Sequence, residues 1–213
     1  TANTTGVSNT AVGNLALAGN TTASNNIGLG NNALASNTTG SENTAVGAVA
    51  LDANTTASNN TAIGFNSLGA NTTGADNTSM GRDTLGDNTT GASNTAIGKS
   101  ALGGNTTASN NTAVGKSALA ANTTGSNNVA VGQNCGPAVT TGSLNTLLGR
   151  DAGGNLTTGS NNLLLGADAG KSGSPSGQVT TASNQVCLGD NNITGLFCAD
   201  TSISSSDSRD KTD

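Results

Sequence analysis

Few residues in this chain can do chemistry, and one kind is missing altogether. None of the 213 residues is histidine, which removes the Ser-His-Asp triad, histidine metal ligation and the imidazole acid/base. Serine-lysine and carboxylate chemistry stay open. The three cysteines, Cys135, Cys187 and Cys198, are odd in number and their spacing fits no zinc pattern. Arg82, Lys99, Lys116 and Arg150 form a basic column that reads either as a stripe for anionic glycans or, with Asp83 and Asp87 nearby, as a solvated face. With 1% aromatic residues and a net charge of -5, stacking platforms and basic patches are lacking, so no nucleic acid partner is expected. No metal and no cofactor are expected either.

What positions these residues is a repeat. Glycine recurs every 17 residues at Gly13, Gly30, Gly47, Gly64, Gly81, Gly98, Gly115, Gly132, Gly149 and Gly166, a period that sets architecture before any helix or strand is assigned. Directly before it stands a large apolar residue (Val12, Leu29, Val46, Ile63, Met80, Ile97), and four residues after it a leucine (Leu17 through Leu119). Small columns accompany them, Ala11, Ala45, Ala62 and Ala96 in one and Ala16, Ala33, Ala50 and Ala101 in the other. Asparagine heads Asn-Thr-Thr from Asn20 to Asn122, and a second asparagine column runs from Asn9 to Asn162. Gly and Asn tolerate the left-handed backbone of tight turns. Each unit therefore predicts a turn, a short strand ending in Ala-Val-Gly, a second turn, and a short strand carrying Ala-Leu. Cys135 falls on an alanine position and Cys187 on a small one, so both are expected to be buried, in keeping with reduced chains assembled in a cytoplasm. Asn-Thr-Thr is formally a glycosylation acceptor, but turn chemistry accounts for its recurrence.

Asn, Thr and Gly are poor helix formers, and seventeen residues at about 3.3 Å each suit one coil of a narrow β-solenoid. The expected fold class is all-β, a 17-residue-repeat β-solenoid, with equal columns stacked and asparagine amides extending the hydrogen-bond ladder. Two large and two small apolar side chains per coil bury little area, at about 1.5–3 kcal/mol per large side chain, against about 1–2 kcal/mol of ordering cost per residue. Self-association follows, with the alanine columns admitting a neighbour and cyclic symmetry expected.

After Gly132 the unit becomes Leu-Leu-Gly and the leucine column becomes Gly136, Gly153 and Gly170, which predicts a wider packing seam. A six-residue insertion over 172–177, rich in Gly, Ser and Pro, reads as an exposed loop. Ile193, Leu196 and Phe197 are expected to cap the last coil, as repeat arrays require. The tail from Ser202 to Asp213 is polar and holds Arg209 and Lys211. Thr1 opens in mid-pattern, the mark of a fragment or processed chain. No stretch of about 18 apolar residues is present, so no membrane insertion is expected.

Asn128-Val129-Ala130-Val131-Gly132 resembles the head repeats of trimeric autotransporter adhesins, which are left-handed β-solenoids packed as trimers. The whole unit, from Asn111 to Gly125, is similar to arrays in bacteriophage tail fibres. Ser206-Asp207-Ser208-Arg209-Asp210-Lys211 resembles the opening of the endosialidase-type intramolecular chaperone peptidase domain, of which only this opening is present. That resemblance implies Ser206 as nucleophile, Lys211 as its base partner and Asp207 as the first residue released. Without it, Ser206 and Lys211 read as part of a polar tail.

The expected organisation is a regular shaft over 1–170, an irregular last coil with loop and cap over 171–203, and the start of a chaperone and self-cleavage segment over 204–213. The expected function is structural, the shaft of a homotrimeric phage tail fibre presenting a host-receptor-binding tip, with no enzyme activity beyond self-cleavage. Ten coils would span about 45–50 Å. Partners would be further copies of the chain, other virion tail proteins and a host-surface glycan or outer-membrane component, with assembly in the host cytoplasm and action outside the cell. Ser172, Ser174 and Phe197 are candidate receptor contacts. A bacterial trimeric adhesin head is the first alternative and an ice-binding solenoid the second, the latter weakened because neighbouring threonines on a strand face opposite ways.

Overall fold

The computed structural model describes residues 2–171 and 177–190. Each coil contributes one three-residue strand: β1 (Thr10–Val12), β2 (Ile27–Leu29), β3 (Thr44–Val46), β4 (Thr61–Ile63), β5 (Thr78–Met80), β6 (Thr95–Ile97), β7 (Thr112–Val114), β8 (Val129–Val131), β9 (Thr146–Leu148), β10 (Leu163–Leu165) and β11 (Val186–Leu188). They form one parallel sheet of 11 strands in chain order. The chain is thus an all-β parallel solenoid with turns of 17 residues, as its period predicts. Thr44 pairs with Thr61 and Ile63 with Met80, column upon column. Between β10 and β11 the offset grows to 23 residues, with Thr157 Oγ1 donating to the Thr180 carbonyl.

The segment carrying Ala-Leu is not a second strand. Two left-handed residues lie within three, such as Leu15 (φ 58) and Leu17 (φ 53), or Asn32 (φ 57) and Leu34 (φ 54), and they turn the backbone out of any extended run. Ladder bonding persists through the bend: Leu17 N donates to Ala33 O at 3.0 Å and Leu34 N to Ala50 O at 3.0 Å. Coils therefore hold one another on several sides, although only three residues in each are extended.

The period-marking glycine has a steric cause. At Gly13, φ is 130° and a Cβ would lie 2.5 Å from the Gly30 carbonyl oxygen, so neither the backbone conformation nor the space admits a side chain.

Which columns face inward differs from the sequence expectation. The middle residue of each strand points in, so Ala45, Ala62, Ala96 and Ala113 are fully buried beside Leu34, Leu51, Leu85 and Leu102. The large residue preceding the glycine points out, with Val12, Leu29, Met80 and Leu148 exposed. Alternation explains this: with the central alanine inside, both flanking side chains of a three-residue strand must face solvent. The alanine columns therefore fill the coil and cannot admit a neighbouring chain.

The seam after Gly132 does not widen. Leu147 and Leu164, both fully buried, replace the inward alanines of β9 and β10, and glycine replaces the leucine opposite. A Cβ on Gly136 would lie 2.5 Å from Leu147 Cδ1, and one on Gly170 2.9 Å from Leu164 Cδ1. Bulk has crossed from the turn to the strand while the interior stays filled.

Both asparagine columns are buried ladders. Asn37 Nδ2 donates to Asn20 Oδ1 at 3.0 Å and to Gly40 O at 2.8 Å. In the other column Asn43 N donates to Asn26 Oδ1 at 2.9 Å, while Asn43 Nδ2 reaches Ala57 O. Amide groups at 0% exposure such as Asn54 and Asn60 are thereby satisfied, as buried polar groups must be. The first ladder stops at Asn122, above which stand Val139, Leu156 and Val179, all buried. Asn122 Oδ1 consequently has no hydrogen-bond partner.

Candidate interaction surface

The outer face of the sheet carries two columns, a threonine-rich one at the first strand position and an apolar one at the third. Their exposed members include Val12 (56%), Ile97 (37%), Leu148 (48%) and Val186 (66%). Toward the end of the array the first column also becomes apolar, through Leu163 and Val186, and an open groove lined by Leu144, Thr146, Asn161, Asn184 and these two residues runs beside it. A file of exposed apolar side chains down one face of a solenoid is the kind of surface that marks a contact site. Sequence periodicity found both apolar columns but not which one faced out.

The basic column is partly neutralised. Arg82 pairs with Asp83 at 3.0 Å and lies over the Phe65 ring, 5.7 Å from its centroid. Arg150 is held by Asp151 at 3.1 Å and Asp168 at 3.0 Å, and Lys171 also reaches Asp168. Lys99 and Lys116 stand beside serines, Ser100 and Ser117, and carry the column's remaining charge.

Cys135 and Cys187 are buried, at 0% and 3% exposure. Burial pushes the Cys135 thiol up to about 12, so it stays protonated and unreactive at neutral pH. The asparagines of Asn-Thr-Thr, from Asn20 to Asn122, are buried with their amides engaged in the ladder, and the folded chain withholds them from modification. Among the described residues no three His, Cys, Asp or Glu side chains gather as a metal site, and no helix is long and apolar enough to cross a membrane. Ser172, Ser174, Phe197, Ser206, Asp207 and Lys211, with Cys198 and the expected cap, lie outside the described residues.

Comparison with known proteins yields no match. Neither a family model, nor a curated protein, nor a solved structure resembles the chain closely enough to count. The solenoid itself is compatible with a fibrous, adhesin-like structural role.

Proposed function

We propose that the chain is the shaft of a homotrimeric fibre of the phage-tail type, whose work is reach: it holds a host-receptor-binding tip away from the particle. The observation that carries this reading is the outward apolar file of the sheet, which recurs in coil after coil, exposed at Val12, Leu29, Met80, Ile97, Leu148 and Leu188 and half-buried at Val46, Ile63, Val114, Val131 and Leu165. Burying a large apolar side chain stabilises by about 1.5–3 kcal/mol, so one partly exposed residue per coil adds up along the rod. Backbone ladders through the whole described array and two buried amide ladders supply stiffness. The partners are further copies of the chain, other virion tail proteins and, through the tip, a host-surface glycan or outer-membrane component. Assembly would take place in the bacterial cytoplasm. Self-cleavage before Asp207, with Ser206 as nucleophile and Lys211 as base, belongs to the same proposal and rests on the resemblance of the tail.

Light scattering across a dilution series tests it. A trimer is expected, and replacing Ile63, Ile97 and Val131 by lysine should dissociate it while the circular dichroism spectrum stays unchanged. A monomer at every concentration would refute the fibre reading.

One observation favours a second reading, an ice-binding solenoid. Thr44, Thr61, Thr78, Thr95 and Thr112 stack in register on the outer face of the sheet, with an apolar column two residues along. Thermal hysteresis at micromolar concentration from a monomer would support it over the fibre.

A further inference from the structure

Most invariant columns of the repeat have a reason inside the chain. The glycine sits against the next coil's carbonyl, the asparagines bond one another, and the first threonine of Asn-Thr-Thr donates its hydroxyl to the next coil, as from Thr38 Oγ1 to Thr55 O at 2.9 Å. The second threonine has none. It is present in all eleven coils, from Thr5 through Thr22 and Thr90 to Thr181, and is exposed in each. Among the described residues no hydrogen bond uses its hydroxyl, as at Thr39, Thr56 and Thr124.

Two comparisons within the chain remove the plain explanations. Turn chemistry would accept Ser, Asn or Asp at such a bend, yet none occurs there. Dependence on the preceding asparagine also fails: where the ladder gives way to Val139, Leu156 and Val179, the column continues as Thr141, Thr158 and Thr181. The mostly exposed position after the glycine drifts freely, reading Asn14, Asn31, Ala48, Phe65, Arg82, Lys99 along the array. No side-chain hydrogen bond among the described residues accounts for the constancy of the second threonine.

An external partner that imposes one residue at every coil must repeat with the coil's own rise, about 4.8 Å. A second copy of the chain has that rise by construction. A cyclic trimer, moreover, joins two different patches of each chain, because its interfaces are heterologous. The outward apolar file supplies one patch and leaves the other unnamed.

Resting on the trimeric reading above, we infer that the second-threonine file is the complementary patch, against which the sheet face of a neighbouring copy packs. Each threonine offers a methyl group to the neighbour's Val, Ile or Leu and a hydroxyl to its strand-face threonines.

Charge complementation tests this. Thr56→Asp, Thr90→Asp and Thr124→Asp together, on alternate coils so that the new charges do not crowd one another, should leave the circular dichroism spectrum intact and raise the trimer-to-monomer midpoint concentration at least about tenfold, since unpaired charge placed in a contact is costly. Ile63→Lys, Ile97→Lys and Val131→Lys should do the same. Combined in one chain, the two sets should restore the trimer, and raised salt should weaken it again. A trimer that survives the aspartates overturns the inference and leaves the trimeric reading standing, the file then facing solvent, glycan or ordered water. Failure of the combined set to rescue also overturns it, whereas a monomeric wild type removes the trimeric reading itself.

Discussion

The exchange of bulk between strand and turn can be moved by one coil. Leu147 on β9 lies between Gly136 and Gly153, and Gly28 on β2 stands against Leu17; the same register places Ala130 on β8 between Leu119 and Gly136. Leu119→Gly alone empties a fully buried site and costs about 3–5 kcal/mol. Relief of a left-handed leucine, φ 50, returns about 1–2 kcal/mol, leaving a net loss of about 1–4 kcal/mol. Ala130→Leu alone drives a second leucine against the Leu119 side chain and costs about 1–3 kcal/mol by overpacking. Together the two changes recreate the arrangement around Leu147, so the double variant should lie within about 1 kcal/mol of wild type, a favourable coupling of about 1–6 kcal/mol. Amide exchange at Leu119, whose N–H donates to Cys135 O, reads the local opening energy where a long array does not unfold in two states. Additive losses, with coupling under about 0.5 kcal/mol, would refute the idea that the two positions share one space.

Three further outcomes follow from single groups. Asn88→Ala strands Asn71 Oδ1 and one Asn105 proton in mid-ladder and should cost about 2–4 kcal/mol; Asn122→Val, which only moves the existing orphan down to Asn105 Oδ1, should cost about 1 kcal/mol or less, and equal losses in thermal unfolding would count against the ladder. Gly98→Ala places a Cβ 2.7 Å from the Gly115 carbonyl carbon at φ 121°, so it should cost more than about 4 kcal/mol or abolish soluble expression, while a neutral effect would contradict the stacking geometry. Burial raises the Asp52 carboxyl above its ordinary 3.8, against opposing backbone hydrogen bonds; the folded state holds the proton more tightly, so stability falls as pH rises through that window. Asp52→Asn should therefore raise the melting temperature at pH 7 and lose that advantage by about pH 3, and an equal gain at both values would disprove the cause.

The seventeen-residue glycine period led directly to the fold, because no L-residue with a side chain fits at Gly13 or Gly98 and the constraint is written in one letter. Both asparagine ladders were legible for a similar reason: an interior amide has few substitutes. The facing of the apolar columns was not legible. Val12 and Leu17 look alike as hydrophobic landmarks, and only the one-residue offset of a three-residue strand puts the alanine inside and the valine out. Ala-Leu read as a strand because leucine rarely adopts φ near +50°; here bonding to the next coil and full burial hold it there, which is the circumstance in which strained conformations persist. For the interaction surface, the outward file and the idle threonine needed side-chain directions and a hydrogen-bond census that residue types do not carry.

If contacts between copies repeat coil by coil, association must scale with the number of coils, and whole coils can be removed to measure it. Deleting residues 99–115 joins Gly98 to Lys116, and the Lys-Ser-Ala-Leu that follows is the same as that beginning at Lys99, so every column stays in register. Each remaining coil keeps a neighbour in the same register, and the chain loses only one coil's share of a stability that is a sum over repeats and their interfaces, so its unfolding should change little. The trimer loses one rung: three partly exposed apolar residues at about 1 kcal/mol each, about 3 kcal/mol in all, or on the order of a hundredfold in the trimer constant. Deleting two coils should lower it by about the square of that factor. A trimer constant indifferent to coil number would mean that the copies meet only at one end, and the files along the shaft would then need another occupant.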